Sequence, residues 1–174
     1  DEQYDAAFAV MQHQQMAEAL PKLAEIHTTL LICVGNNMSA FWMEREILSL
    51  AKQAKQEKKV LFGFQGTGGR RENGRVECVR FGDGSMSLGG LHGEVDAETK
   101  ERIGALFQGT KYRLTWVPNM DAWYRCHLTL ILPACYVCYA TGCNLRKASR
   151  KQRKTLLDAA GEAYGLLKAL GYSL

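Results

Sequence analysis

The sequence predicts an α/β fold, a parallel sheet followed by a helical segment, on three observations. Residues 28–34 form a continuous apolar, β-branched run, the pattern of a strand buried on both faces of a parallel sheet. A short apolar strand at 5–11 and a helical spacing at 16–26 precede it, so strand, helix and strand follow one another as a βαβ unit. Beyond Pro118 the chain turns helical to its end.

Each element has its own signal. Met16, Leu20, Leu23 and Ile26 recur at helical spacing despite Pro21. Asn36 and Asn37 follow the second strand as a loop at its carboxyl end, before a helix over 40–56 and a third strand over 60–64. Residues 66–74, rich in glycine, read as a loop. Segments 75–81 and 85–91 flank Gly82, Asp83 and Gly84 and predict a β-hairpin. A helix over 97–107 and a strand over 112–117 come next. Asn119 is the expected N-cap of a helix ending at Gly142, with Asp121 complementing its dipole. The last helix, 151–170, carries Leu156, Ala160, Ala163, Leu167 and Leu170 on one stripe.

Composition narrows the class. The 174 residues are 47% hydrophobic and 23% charged, which excludes a mainly disordered, collagen-like or coiled-coil chain. The uncharged stretch 128–144 is shorter than a bilayer span and contains Pro133 and Gly142, so no membrane partner is expected. The start is acidic and lacks the regions of a signal peptide. The six cysteines sit mostly in apolar runs, as reduced core thiols do, and a cytoplasmic location is expected.

The net charge of +4 is uneven. Arg146, Lys147, Arg150, Lys151, Arg153 and Lys154 are six basic groups in a nine-residue segment without an acid. Positive charge at the start of a helix opposes its dipole and favours an anionic partner; a solvated turn is the ordinary alternative. The nearest aromatics, Tyr139 and Tyr164, are too sparse for a base-stacking platform, and nucleic acid is not expected as a partner.

Five ordered pieces carry a resemblance. They are Tyr4 to Val10, the helix from Gln15 to Leu20, Gly35-Asn36-Asn37-Met38, the run from Gly63 to Arg70, and Asn119-Met120-Asp121-Ala122-Trp123. In this order the chain resembles the ketopantoate reductase family over nearly its whole length. The resemblance implies a Rossmann-type domain followed by a helical one; with the composition shift at Asn119 as boundary, a partial Rossmann-type sheet with a β-hairpin extension is expected over 1–118 and a helical domain segment over 119–174. It implies NADP as cofactor, a 2-oxo acid as substrate, and an active site in the cleft between the domains. The Gly-x-Gly-x-x-Gly turn that precedes these strands in the family falls before residue 1. The later helical part, which holds a catalytic Glu in the family, falls after the last. The chain therefore reads as a truncated member.

Residue by residue, the resemblance makes Asn36 the residue near nicotinamide and substrate. Gln12 stands where a Lys is common, and Gly66, Gly68 and Arg70 approach the cofactor. Arg125 stands at the Lys that acts as general acid, and Thr129 and Pro133 stand where two Asn contact substrate. A guanidinium is a poor proton donor at neutral pH but holds a carboxylate bidentately. Arg125 is thus expected to anchor or polarise the 2-oxo acid, with Thr129 lining the cleft. The alternative for that helix face is plain packing, with Arg125 paired to an acid. For the whole chain the alternative is a non-catalytic remnant that serves as a dimerisation or binding module; a homodimer is expected.

Other constellations carry less. Cys135 and Cys138, with His127 and Cys143 nearby, do not make a closed four-ligand set, and no metal is expected. The glycine-rich run 63–71 could form an anion nest but lacks the Gly-Lys-Ser/Thr ending of a P-loop. None of the four histidines has a sequence-evident catalytic partner.

Overall fold

The computed structural model describes residues 3–80 and 82–172. Two compact units form, Asp1–Met120 and Asp121–Leu174.

In the first unit, strands β1 (Ala7–Val10), β2 (Leu30–Val34) and β3 (Lys59–Gln65) run parallel and in register. Helix α1 (His13–Glu25) connects the first two and α2 (Ala40–Gln53) the second and third. Crossovers between parallel strands are right-handed by rule, which sends both helices to one face of the sheet, where α1 and α2 pack against each other. There they bury Met16, Leu20 and Leu23 from α1 and Met43, Ile47 and Ala51 from α2. All five residues of β2 are buried, which is why its sequence is apolar without alternation.

The opposite face packs Leu30, Ile32, Val34 and Leu61 against Met86, Leu88, Val95 and Ile103. Phe8 closes this core at the edge strand, its ring 5.9 Å from that of Phe107 in an edge-to-face contact. Helix α3 (Ala97–Leu106) supplies Ile103 and starts at Asp96, whose carboxylate accepts from the Thr99 amide at 2.9 Å. Lys58 is buried, and its ammonium donates to the carbonyls of Ile26 and Thr28, the latter at 3.1 Å. It thereby closes the carboxyl end of α1, where a cation complements the dipole.

The middle of the chain differs from the sequence expectation. Residues 66–74 are not a loop: β4 (Thr67–Glu72) pairs antiparallel with β5 (Arg75–Arg80) in a separate two-stranded ribbon. Its turn is Asn73-Gly74, both at positive φ (51° and 73°), as a tight hairpin requires. The segment after Gly84 leaves the ribbon. Strand β6 (Ser85–Gly89) joins the main sheet beside β3, antiparallel, and β7 (Arg113–Trp116) runs parallel to β6. The five-stranded order is β1-β2-β3-β6-β7. The sheet is thus mostly parallel with one antiparallel junction, and the fold is Rossmann-like α/β.

The second unit contains α4 (Met120–Ala140) and α5 (Arg150–Ala169), with a 3-10 turn, Leu145–Lys147, between them. Gly142 at φ 64° ends α4, as expected from its freedom in the left-handed region. Ser149 caps α5 by accepting from the Gln152 amide at 3.2 Å, and the Gln152 side chain returns to the Ser149 amide at 2.9 Å. Among the described residues no helix is long and apolar enough to cross a membrane.

Candidate functional site

In open parallel sheets the ligand side is the carboxyl edge of the strands. Here Val34 is flanked at that edge by Val10 on one side and Gly63 on the other. Met11 and Gln12 lead from β1 into α1, Gly35 and Asn36 lead from β2 towards α2, and Gly66 follows β3. Gln12, Asn36 and Gly66 therefore share one edge, and α1 and α2 begin there. The positive dipole ends of two helices make such an edge suited to anionic groups.

Gly35 is held tightly. Its amide donates to the Gly63 carbonyl at 2.9 Å. At φ 148° it is a conformation side chains rarely adopt, and a Cβ would stand 3.2 Å from the Met11 carbonyl oxygen. The two asparagines that follow divide their labour. Asn37 is 1% exposed, and its side-chain amide donates to the Cys33 carbonyl at 2.9 Å. Asn36 is exposed at the edge. Gln12 is also exposed; its amide donates to Gln15 Oε1 at 3.2 Å, and its own Oε1 accepts from Gln14 Nε2. An open depression of about 460 Å³ beside it is lined by Met11, Gln15, Glu18, Ala19 and Lys22.

Gly66 donates its amide to the Ser85 carbonyl at 2.8 Å, and a Cβ there would come 3.0 Å from Ser85 Oγ. Gly68 and Arg70 lie on the ribbon, opposite Val79 and Glu77. The Arg70 guanidinium bridges Glu77 at 2.7 Å and Glu72 at 3.2 Å, so its charge is balanced within the ribbon.

In the helical unit, Arg125 Nε donates to Asp121 Oδ2 at 2.9 Å, and Tyr172 Oη donates to the same oxygen at 3.0 Å. The guanidinium carbon stands 5.3 Å from the Tyr172 ring centre. The hydrogen bond to Asp121 raises the Arg125 pKa above its usual value. Thr129 is buried, and its hydroxyl donates to the Cys126 carbonyl at 2.6 Å, an oxygen that also accepts from Tyr164 Oη at 3.1 Å. His127 stacks on Trp123, and burial lowers its pKa. No group of three His, Cys, Asp or Glu among the described residues could hold a metal ion.

Two features escaped the sequence reading. Tyr172 lies beyond the last helix, with no pattern to mark it as a partner of Asp121. A cavity of about 570 Å³ lies at the amino ends of β2 and β3, on the other side of the sheet edge from Asn36; Leu30, Lys59, His92, Asp96, Thr99 and Arg102 are among its walls. Several of its polar groups are engaged with one another. Lys59 reaches Thr99 at 2.9 Å and pairs with Asp96, and His92 Nε2 lies 2.7 Å from Glu44.

The architecture is that of a Rossmann-like α/β protein with a helical unit after the sheet. Among solved structures it is similar to the crystal structure of 2-dehydropantoate 2-reductase from Methylococcus capsulatus, with a TM-score of 0.58 and 17% identity. The match covers 100% of this chain and 54% of that one, so this chain spans about half the length of the reductase. At that identity the likeness is one of fold: the chain has a ketopantoate reductase-like fold. No family model matches the sequence, and no curated protein matches it.

Proposed function

We propose that this chain is the part of a ketopantoate reductase-like oxidoreductase that takes NADPH and the ketone of a 2-oxo acid and yields the hydroxy acid. One observation carries the reading. Gln12, Asn36 and Gly66 converge on the carboxyl edge of β1–β3, in a fold shared with a 2-dehydropantoate 2-reductase. Exposed amides, a glycine that lets the backbone approach closely and two helix N-termini are a donor set that fits a dinucleotide.

In this reading Gln12, Asn36, Gly66, Gly68 and Arg70 hold NADP, which when bound supplies the hydride. Asn36 orients nicotinamide or substrate through its side-chain amide. Arg125 binds the substrate carboxylate or polarises its carbonyl, since a guanidinium keeps its charge at neutral pH. Thr129 lines the substrate pocket.

A second reading has its own observation. The Arg125 guanidinium already meets Asp121 and Tyr172, as in a helix face used for packing. That favours a non-catalytic binding module that keeps the reductase fold, and a homodimer is its expected form.

Titration of the 174-residue chain with NADPH, followed by nucleotide fluorescence, separates the two readings. Saturable binding weakened by Asn36→Ala, with 2-oxo-acid-dependent NADPH oxidation weakened by Arg125→Ala, supports the reductase. Absence of saturable binding leaves the binding module.

A further inference from the structure

The helical unit ends in a surface that is apolar and positively charged at once. Tyr164 bonds back to Cys126 and Tyr172 to Asp121, so α5 runs antiparallel to α4. The last turns of α4, the turn Leu145–Lys147 and the first turns of α5 therefore share one end of the unit. Tyr136 and Tyr139 are 75% and 74% exposed there, and Leu145 is 44% exposed. Arg146, Lys147, Arg150, Lys151, Arg153 and Lys154 are exposed beside them.

Two of these cations are already used. Arg153 donates to the carbonyls of Ala148 and Arg146, and Lys154 pairs with Asp158 at 2.7 Å. Arg146, Lys147, Arg150 and Lys151 have no ion-pair partner among the described residues. The first turn of α5 contains no acid, so these charges add to the positive end of its dipole. An anionic surface relieves that repulsion.

We infer that this end of the helical unit docks on an anionic lipid surface. The four unpaired cations meet headgroup phosphates and carboxylates, while Tyr136, Tyr139 and Leu145 enter the headgroup region. Lipid fits better than nucleic acid for two reasons. An exposed aliphatic side chain among the cations gains nothing from a sugar–phosphate backbone. The charge is confined to one tip and does not form the extended track that a nucleic-acid strand follows. Docking on a surface needs no membrane-spanning helix.

The test is flotation of the full chain with vesicles of phosphatidylcholine alone or with about 30% phosphatidylserine, at about 0.1 M salt. Binding to the anionic vesicles is expected to exceed that to neutral ones by at least ~10-fold and to fall as salt rises. Replacing Arg146, Lys147, Arg150 and Lys151 together by Gln should weaken it at least ~10-fold. Leu145→Asp should weaken it as well. The quadruple variant should melt no lower than the parent, since it loses no ion pair and relieves like-charge repulsion at the start of α5. Equal binding to both vesicles, no binding to either, or an unchanged affinity of the quadruple variant overturns the inference. So does a single-stranded oligonucleotide bound through these same four cations while vesicles are ignored.

Discussion

Arg125 and Tyr172 share one oxygen of Asp121, at 2.9 and 3.0 Å, and Asp121 is itself buried. The carboxylate thus fastens one turn of α4 to the end of the chain. Asp121→Ala strands both donors and is expected to cost about 1–3 kcal/mol in urea denaturation. Arg125→Ala should cost less, under about 1 kcal/mol, because its side chain is 36% exposed and solvent screens the pair. Tyr172→Phe should fall near 1 kcal/mol, the value of one ordinary hydrogen bond. The opposite ranking would mean that Asp121 is not the common anchor.

Two glycine substitutions are expected to act with opposite sign. At Gly89 a Cβ would stand 2.2 Å from the Val117 carbonyl oxygen. Gly89→Ala must therefore move backbone at the β6–β7 junction and should cost about 1–3 kcal/mol or more. At Gly161, inside α5, nothing lies within 4 Å of a Cβ. Gly161→Ala there restricts the unfolded chain and should stabilise by about 0.5–1 kcal/mol. Chemical denaturation of the two variants beside the parent checks both signs.

Much of this fold was legible because its signals are local. The unbroken apolar run of β2 announces a strand buried on both faces, and Gly142 announces the end of α4. The middle was not legible, for a physical reason. Gly82, Asp83 and Gly84 looked like a hairpin turn between two strands, but pairing is decided by what each strand can bury against. Met86 and Leu88 gain a place in the main core beside β3, whereas Val76 and Val79 stay exposed on the ribbon. Asn73-Gly74, the turn that does form, carried an equally good signal. Of the candidate site, the place of Asn36 at the carboxyl end of β2 followed from the βαβ order, whereas Gln12 and Gly66 were marked only by the family resemblance. The pairing of Arg70 with Glu77 depended on the unforeseen ribbon, and that of Asp121 with Tyr172 on contact between residues far apart in sequence.

Acid should weaken the start of α3. Asp96 accepts from the Thr99 amide and hydroxyl and pairs with Lys59. These partners, the Lys59 hydrogen bond first, hold its carboxyl well below the usual carboxylate range. A pKa depressed in the folded state gives stability that is present above the unfolded value, about 3.9, and is lost as pH falls below it. Melting temperature should therefore drop between neutral pH and about pH 3, and drop less in Asp96→Asn. Asparagine still caps a helix but does not titrate there. Equal drops in the two proteins would remove Asp96 from the acid response.

Thiol reactivity should follow burial. The Cys33 side chain lies in the core at β2, and burial pushes its pKa up to about 12. Near neutral pH almost none of it is thiolate, the reactive form. Cys78, Cys135 and Cys143 are exposed free thiols. In native protein a small alkylating reagent should modify these three first, and Cys33 only after denaturation. Peptide mapping of a time course gives the order, and early labelling of Cys33 would show that β2 opens locally.

Neighbouring asparagines after β2 allow fold and function to be tested separately. Asn37 is buried and its amide holds the Cys33 carbonyl, so Asn37→Ala leaves a buried acceptor short of a partner. It should cost about 1–3 kcal/mol. Asn36 is exposed on the same loop, and Asn36→Ala should change stability by no more than about 0.5 kcal/mol. If the carboxyl edge takes a dinucleotide, Asn36→Ala should nevertheless weaken NADPH binding, by the ~5–10-fold that one hydrogen bond of about 1–1.5 kcal/mol represents. A variant as stable as the parent but weaker in NADPH titration marks Asn36 as a ligand contact. A variant equal to the parent in both measurements removes Asn36 from the site and leaves the loop with only its structural role through Asn37.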